Sequence, residues 1–414
     1  MSKIKSVRAR EILDSRGEPT VEVILDTEIG IFVDSVPSGA STGSREAVEI
    51  RDGDESRYLG KGVLKAISNV RINISNKIEG YRVNNQKEVD EAMISLDKSE
   101  NKAKIGANST MGVSLAVARA GAKFNKQELF AYISSLSNNE IKLPSPCFNV
   151  INGGKHAGNG LAFQEFMINF EGRKFKDQVR MASEVYHTLK EIIVDKYGVG
   201  AINVGDEGGF APQISDPKEA LNLIIKAVKK LDYLKDLNIF LDIAASEFYD
   251  AKNGKYILNK ETSLDREELI KYYQELCLKY PIKSLEDPFE ENDYEGFRML
   301  NQKMLGNLLI IGDDLTVTNV KGIEKAYEKD AINGLLVKIN QVGTVSEAIE
   351  AVNLAKLYGY KIMVSHRSGE TTDDFIADFA VGLGADYIKA GAPARGERVA
   401  KYNRLLKIED ILKL

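Results

Sequence analysis

An α/β protein of two domains is predicted: a small α+β unit, then a β/α barrel that opens with two strands in succession. Three observations carry this. The chain has 414 residues, too many for one small domain and enough for a barrel of about 250 residues with a second unit ahead of it. Residues 4–36 alternate apolar and polar, as half-buried strands do. From Ile239 to Ala390, short apolar runs each end in a charged or chelating residue: Asp242, Glu286 with Asp287, Asp313 with Asp314, Lys338, His366 with Arg367, and Lys389. The successive ends lie 44, 27, 25, 28 and 23 residues apart. A step of about 25 residues suits one strand, one helix and two loops, the unit of a parallel barrel. Polar residues at equivalent strand ends gather on one face, where barrel enzymes place their chemistry.

In chain order, "IKSVRAREIL", "TVEVILDT" and "GIFVDSV" predict a three-stranded meander, with "DSRGEP" as its first turn. "PSGASTGS" (residues 37–44) is small and flexible and is expected to be an exposed mobile loop. "KGVLKAISNVRINISNKI" and "NQKEVDEAMISLD" have helical spacing, and "GANSTMGVSLAVARAGAKF" predicts a tightly packed helix. The polar, then Pro-rich stretch Ser134–Pro146 is expected to hold the domain boundary, giving units 1–134 and 135–414.

Beyond it, "CFNVINGG" and "LAFQEFMINF" read as two strands before the first long helix, Arg173 to Lys196. "GAINVGDEGGFAP" reads as a further strand ending in acids. Asp216-Pro217 predicts a capped helix start. The helices "REELIKYYQELCLKY" and "SEAIEAVNLAKLYGY" continue the alternation, and "RVAKYNRLLKIEDILKL" predicts a last amphipathic helix.

Composition narrows the function classes. Apolar residues make up 43% and charged residues 28%, the balance of a globular protein in water. The net charge of −5, with mixed signs along the chain, gives no global attraction to nucleic acid. No apolar run is long enough to span a bilayer, and the start lacks the apolar core of a signal peptide. A cytoplasmic protein is therefore expected. Cys147 and Cys277 are too few for a disulfide framework or a thiolate metal site and are expected to be buried thiols.

Asp242, Glu286 and Asp313 form a set of hard oxygen donors that suits Mg²⁺. Single acids at strand ends are often only caps, but three in register point to a metal. Lys338 and Lys389 end runs that should be buried, so each is either a structural ion pair or functional. Near a divalent cation and a second lysine, the pKa of Lys338 is expected to fall, which would leave an amine able to act as a base. "SHRS" offers His366, Arg367 and Ser368 for an anion. "NGGKHAGNG" lacks P-loop spacing, and His156 within it is either structural or a ligand. Glu165 and Glu207 follow different predicted strands and could share a proton if they meet.

Eleven stretches, in order, then carry a resemblance: "ILDSRGEPTVEV", "PSGASTG", "GANSTMGVSLAVARA", "NGGKHAGNGLAFQEFMI", "NVGDEGGFAP", "LDIAASEFY", "LEDPF", "GDDLTVTN", "LLVKINQVGT", "VSHRSGET" and "KAGAPARGERVAKYN". Over nearly its whole length the chain resembles the enolases, glycolytic lyases that interconvert 2-phosphoglycerate and phosphoenolpyruvate. The resemblance implies two Mg²⁺ per site, the first on Asp242, Glu286 and Asp313 and the second on Ser41 as the 37–44 loop closes. It implies Lys338 as the base for the C2 proton and Lys389 as its cationic partner. Glu207 would be the acid for the 3-hydroxyl, assisted by Glu165. His156, Gln164, Glu165, His366, Arg367, Ser368 and Lys389 would touch substrate.

A homodimer or octamer is implied, and no nucleic-acid partner. Three departures touch none of these positions: Glu18 where the family usually has Asn, Gly396 for a common Ser, and the absence of Trp. A racemase or cycloisomerase of the same superfamily would share the three acids and a lysine, but would not be expected to keep the acid pair, the "SGAST" loop and "SHRS" together. An added surface-binding role is compatible with the same residues.

Overall fold

The computed structural model describes residues 2–40, 43–304 and 306–414. The first unit is the expected meander, β1 (Ile4–Leu13), β2 (Pro19–Thr27) and β3 (Gly30–Ser35), paired antiparallel in that order. Alternation sets the buried face: Val21, Val23 and Leu25 are fully buried on the middle strand. The first turn is held by Asp14, whose Oδ1 accepts the amides of Arg16 (2.8 Å) and Glu18 (2.9 Å), with Gly17 at a positive φ of 79°.

The small-residue helix, Ala107–Phe124, lies buried on this sheet. Gly112 explains its composition: a Cβ there would lie 2.6 Å from Val23 Cγ2 and 3.1 Å from Val36 Cγ2. Close approach of helix to sheet leaves no room for side chains. The helical stretch at 64–78 includes a π-helical segment, Asn69–Ile74.

The second unit is a closed barrel of eight strands among the described residues. The strands are β4 (Ser145–Asn152), β5 (Glu165–Asn169), β6 (Asn238–Asp242), β10 (Ile282–Glu286), β11 (Leu309–Gly312), β12 (Gly334–Val337), β13 (Lys361–Ser365) and β14 (Tyr387–Lys389). A small outlying sheet holds β7 (Tyr249–Asp250), β8 (Lys255–Ile257) and β9 (Ser263–Leu264). The strand β5 runs antiparallel to both β4 and β6, and all other neighbours are parallel. The predicted two-strand start is therefore present. Asp216 caps the helix Pro217–Lys230 by accepting the Lys218 amide at 2.9 Å, as its sequence predicts.

Below the mouth, Cys147, Met167, Phe240, Leu309, Ile311, Leu336, Met363 and Tyr387 fill the barrel interior. The barrel is thus a packed core. Cys277, by contrast, is only partly buried. No helix among the described residues is long and apolar enough to cross a membrane.

Two expectations are corrected. "GAINVGDEGGFAP" forms no strand. It is a 3₁₀ turn, Val199–Ile202, followed by a loop that bridges the barrel at Phe210 alone. Its glycines reverse the chain at 205–209, where the Gly205 amide donates to the Gly209 carbonyl at 2.8 Å. The 37–44 loop is not exposed at its start. Pro37 and Ser38 are buried because Ser38 and Gly369 exchange two backbone hydrogen bonds of 2.8 Å across the units.

Further contacts join the units. Arg119 bonds Asp34 (2.6 Å) on its own side and Asp373 (2.9 Å) and Asp374 (3.2 Å) on the barrel. Asp90 is fully buried and accepts from Gln86 of its own helix and from the amide (3.0 Å) and hydroxyl (2.6 Å) of Ser346. Burial pushes its carboxyl up to about 6, against the hydrogen bonds of Ser346, Ser114 and Gln86, which favour the charged form.

Between its unfolded value of 3.8 and about 6, folded Asp90 keeps a proton that the unfolded chain has lost, so stability falls as pH rises through that window. The loss is on the order of 3 kcal/mol. Asp90→Asn is expected to remove this slope. In urea unfolding the variant's midpoint should gain on the parent's between pH 4.5 and pH 7. An unchanged gap would contradict the buried, proton-retaining carboxyl.

Candidate active site

Parallel strands deliver their C-terminal ends to one rim. Asp242 closes β6, Glu286 closes β10 and Lys389 closes β14, while Asp313, Lys338 and His366 directly follow β11, β12 and β13. Glu165 reaches the same rim from the start of β5, because that strand is reversed and pairs Glu165 with Asp242. Glu207 arrives on the Gly205–Gly209 turn. Of the residues predicted from sequence, all but Glu286 and Ser41 line one cavity at this rim. Glu286 is buried against Lys389. Ser41, predicted to bind the second metal, lies outside the described residues.

Lys389 is the centre of the floor. Its Nζ is 2.8 Å from Glu286, 3.1 Å from Glu165 and 3.2 Å from Asp242, and all four side chains are buried. Burial opposes the charge on Lys389, but Asp242, Glu165 and Glu286 outweigh it and hold the lysine well above its ordinary value. One ammonium cannot neutralise three carboxylates. Burial and then the Glu207 charge push Glu165 well up, and burial and then the Asp242 charge push Glu286 well up.

Lys338 pairs with Asp313. Burial would lower its pKa, but Asp313, which it bonds directly, outweighs burial and raises it. The amine is therefore an ammonium in this arrangement. Asp313 is correspondingly lowered: burial acts against ionisation, and Lys338 and then Lys389 overcome it.

Glu165 and Glu207 do meet: their carboxylate oxygens and a His156 ring nitrogen all lie within 4.8 Å of one another. The environments split the pair. Burial would raise Glu207, but His156, His366 and Arg398 outweigh it and carry it well below the ordinary carboxylate range. Asn149 also donates to it at 2.9 Å. The pair's proton is thus favoured on Glu165.

Asp287, Asp313 and Asp314 form a second group within 4.8 Å. Burial and then Asp313 raise Asp287 to about 8. Asp242, Glu286 and Asp313 form no group so tight, because Lys389 lies among the first two while Lys338 and Gln341 (2.8 Å) hold the third. The donors still fit a hard divalent cation. They are carboxylates in excess of cations, and Glu286 Oε2 and Gln164 Oε1 are buried without a hydrogen-bond partner.

Several residues escape sequence reasoning. Glu46, from the first unit, bonds Arg367 Nη1 (3.1 Å) and accepts from Gln341 (3.3 Å). No local pattern marks it. Gln341 and Arg398 lie within stretches of recognisable order but at positions without a motif role. Ser368 Oγ accepts the Ala40 amide at 2.6 Å, so the first unit reaches the anion-binding segment directly.

Comparison with known proteins agrees with this geometry. A family model described as "Enolase, C-terminal TIM barrel domain" matches residues 140–413, and one described as "Enolase, N-terminal domain" matches residues 4–133. A protein named Enolase from Mastigamoeba balamuthi is 53% identical over 100% of this chain and 96% of its own length. Enolase B of Dictyostelium discoideum is 53% identical over 99% and 95%. Enolase of Thermococcus gammatolerans is 52% identical over 99% and 95%. The chain belongs to the enolase family.

Proposed function

We propose that the chain reversibly dehydrates 2-phosphoglycerate to phosphoenolpyruvate, as a Mg²⁺-dependent hydro-lyase of glycolysis and gluconeogenesis. The convergence of a lysine pair and an acid pair in one cavity, beside Arg367 and Ser368, carries this reading. Residues 1–134 and 135–414 are taken as its two units. A cytoplasmic location and a homodimer or octamer go with it.

Lys338 Nζ takes the C2 proton. To do so it must arrive as the free amine, so Asp313 has to change partners from the ammonium it now holds. Asp242, Glu286 and Asp313 would hold one Mg²⁺ and Ser41 a second. Mg²⁺ would supply fixed positive charge where negative charge builds up on the substrate carboxylate. Lys389 adds its own charge to the same end. The departing 3-hydroxyl takes a proton from the Glu165–Glu207 pair and leaves as water. The proton rests on Glu165 and reaches the hydroxyl through Glu207, the acid facing His156 and His366. Arg367 and Ser368 bind the phosphate, for which Arg367 exchanges Glu46. His156 and Gln164 complete the substrate contacts, with His366 beside them.

Lys338→Ala is expected to lower kcat for phosphoenolpyruvate formation by about 10²- to 10⁴-fold or more while the unfolding transition stays cooperative. Retained turnover would remove Lys338 from the role of base. Chelation of divalent cations is expected to abolish turnover, and added Mg²⁺ to restore it, followed by the absorbance of phosphoenolpyruvate. Activity that survives chelation would contradict the metal assignment.

A further inference from the structure

The last helix, Gly396–Leu412, buries one face against the barrel, and that face is not wholly apolar: it carries Arg398 and Lys401. Arg398 has no exposed surface. Its Nη1 lies 2.6 Å from His366 Nδ1 and donates to the Arg367 carbonyl at 2.7 Å. Its Nη2 donates to the carbonyls of Ser368 (2.7 Å) and Asp206 (2.9 Å). One guanidinium therefore ties the "SHRS" segment to the turn that carries Glu207. Gly391 leaves room for it: a Cβ there would lie 2.6 Å from Arg398 Cδ, and the glycine has a φ of +85°.

A guanidinium has only donors and does not lose its proton in proteins. His366 Nδ1 must then be the acceptor, so the ring's proton sits on Nε2. That nitrogen lies 3.5 Å from Glu207 Oε1.

We propose that Arg398 is a positioning residue for the dehydration, holding His366 as the neutral Nε2–H tautomer, whose N–H faces Glu207 across 3.5 Å without yet being hydrogen-bonded to it. The opposite tautomer would turn a basic nitrogen on Glu207 and draw off the proton destined for the leaving hydroxyl. The link to turnover rests on the reading of Glu207 under Proposed function, whereas the tautomer does not. The charged and titratable groups around His366 agree: burial lowers it well below the ordinary histidine value, with Arg398, Lys389 and His156 acting in the same direction and Glu207 opposing.

The chain has 3 histidines, so ¹⁵N NMR of the full protein can resolve each ring, with His366 assigned by its loss in His366→Gln. At neutral pH, His366 is expected to show an unprotonated Nδ1 and a protonated Nε2. A proton on Nδ1, or on both nitrogens, overturns the proposal, and this measurement needs no variant of Arg398. Arg398→Met, which keeps the bulk and removes the donors, is expected to shift His366 toward mixed tautomers. It should also cut kcat by roughly 10- to 100-fold, with KM changed far less.

Arg398→Lys, which restores a cationic donor, is expected to recover the Nε2–H signature and much of kcat. A folded Arg398→Met chain with the parent's tautomer overturns the proposal. If the parent shows the Nε2–H tautomer but never turns over 2-phosphoglycerate, the reaction assignment fails and the positioning of His366 stands.

Discussion

The Lys389 ammonium is the contact on which the rest of the mouth depends. Four strands, β5, β6, β10 and β14, end or begin on acids and a base that would be costly to bury singly. Placed together they satisfy much of one another's need, since Lys389 meets Glu165, Asp242 and Glu286 within 3.2 Å. The balance is deliberately incomplete in charge: the acids outnumber the cations. A buried site left short of positive charge takes up protons or binds a cation, which ties metal chemistry to the same residues that close the barrel. Removing one member of such a buried set leaves its partners uncompensated and costs far more than the pair contributes net.

The barrel rim does not build the site alone. Ser38 pairs with Gly369, Ala40 donates to Ser368, and Glu46 holds Arg367, so the first unit fixes one wall. The last helix fixes another from behind, through Arg398 and through Lys401, which bonds Glu370 at 2.8 Å. The segment 366–371 is thus gripped from both sides by groups far from it in sequence. Its backbone is held in place because the carbonyls of Arg367, Ser368, Gly369 and Thr371 all accept hydrogen bonds.

The strand-end acids and lysines were legible because a parallel barrel sends equivalent positions to one rim, and spacing alone reveals them. Glu165 and Glu207 were legible as residues but not as neighbours. The segment before Glu207 reads as a strand ending in acids, although the glycines at 205, 208 and 209 point to the reversal that is present. The Asp313 partner of Lys338 is not legible, because no local pattern announces it. Glu46 and Arg398 carry no local signal. One sits in an irregular segment, and the other occupies a helix face that periodicity assigns to apolar packing, where only tertiary contacts show the polar groups it meets.

The reversed strand β5 sets where the next connection begins. It leaves the barrel at the base, yet β6 must start there too. The connection nevertheless climbs and descends once more, through the helices Phe175–Tyr197 and Pro217–Lys230. The crest between them is the turn that carries Glu207. Losing either helix alone would leave an extended segment to span the height of the barrel before β6 could begin. The hairpin of helices is thus kept or lost as a unit, and the acid at its crest with it.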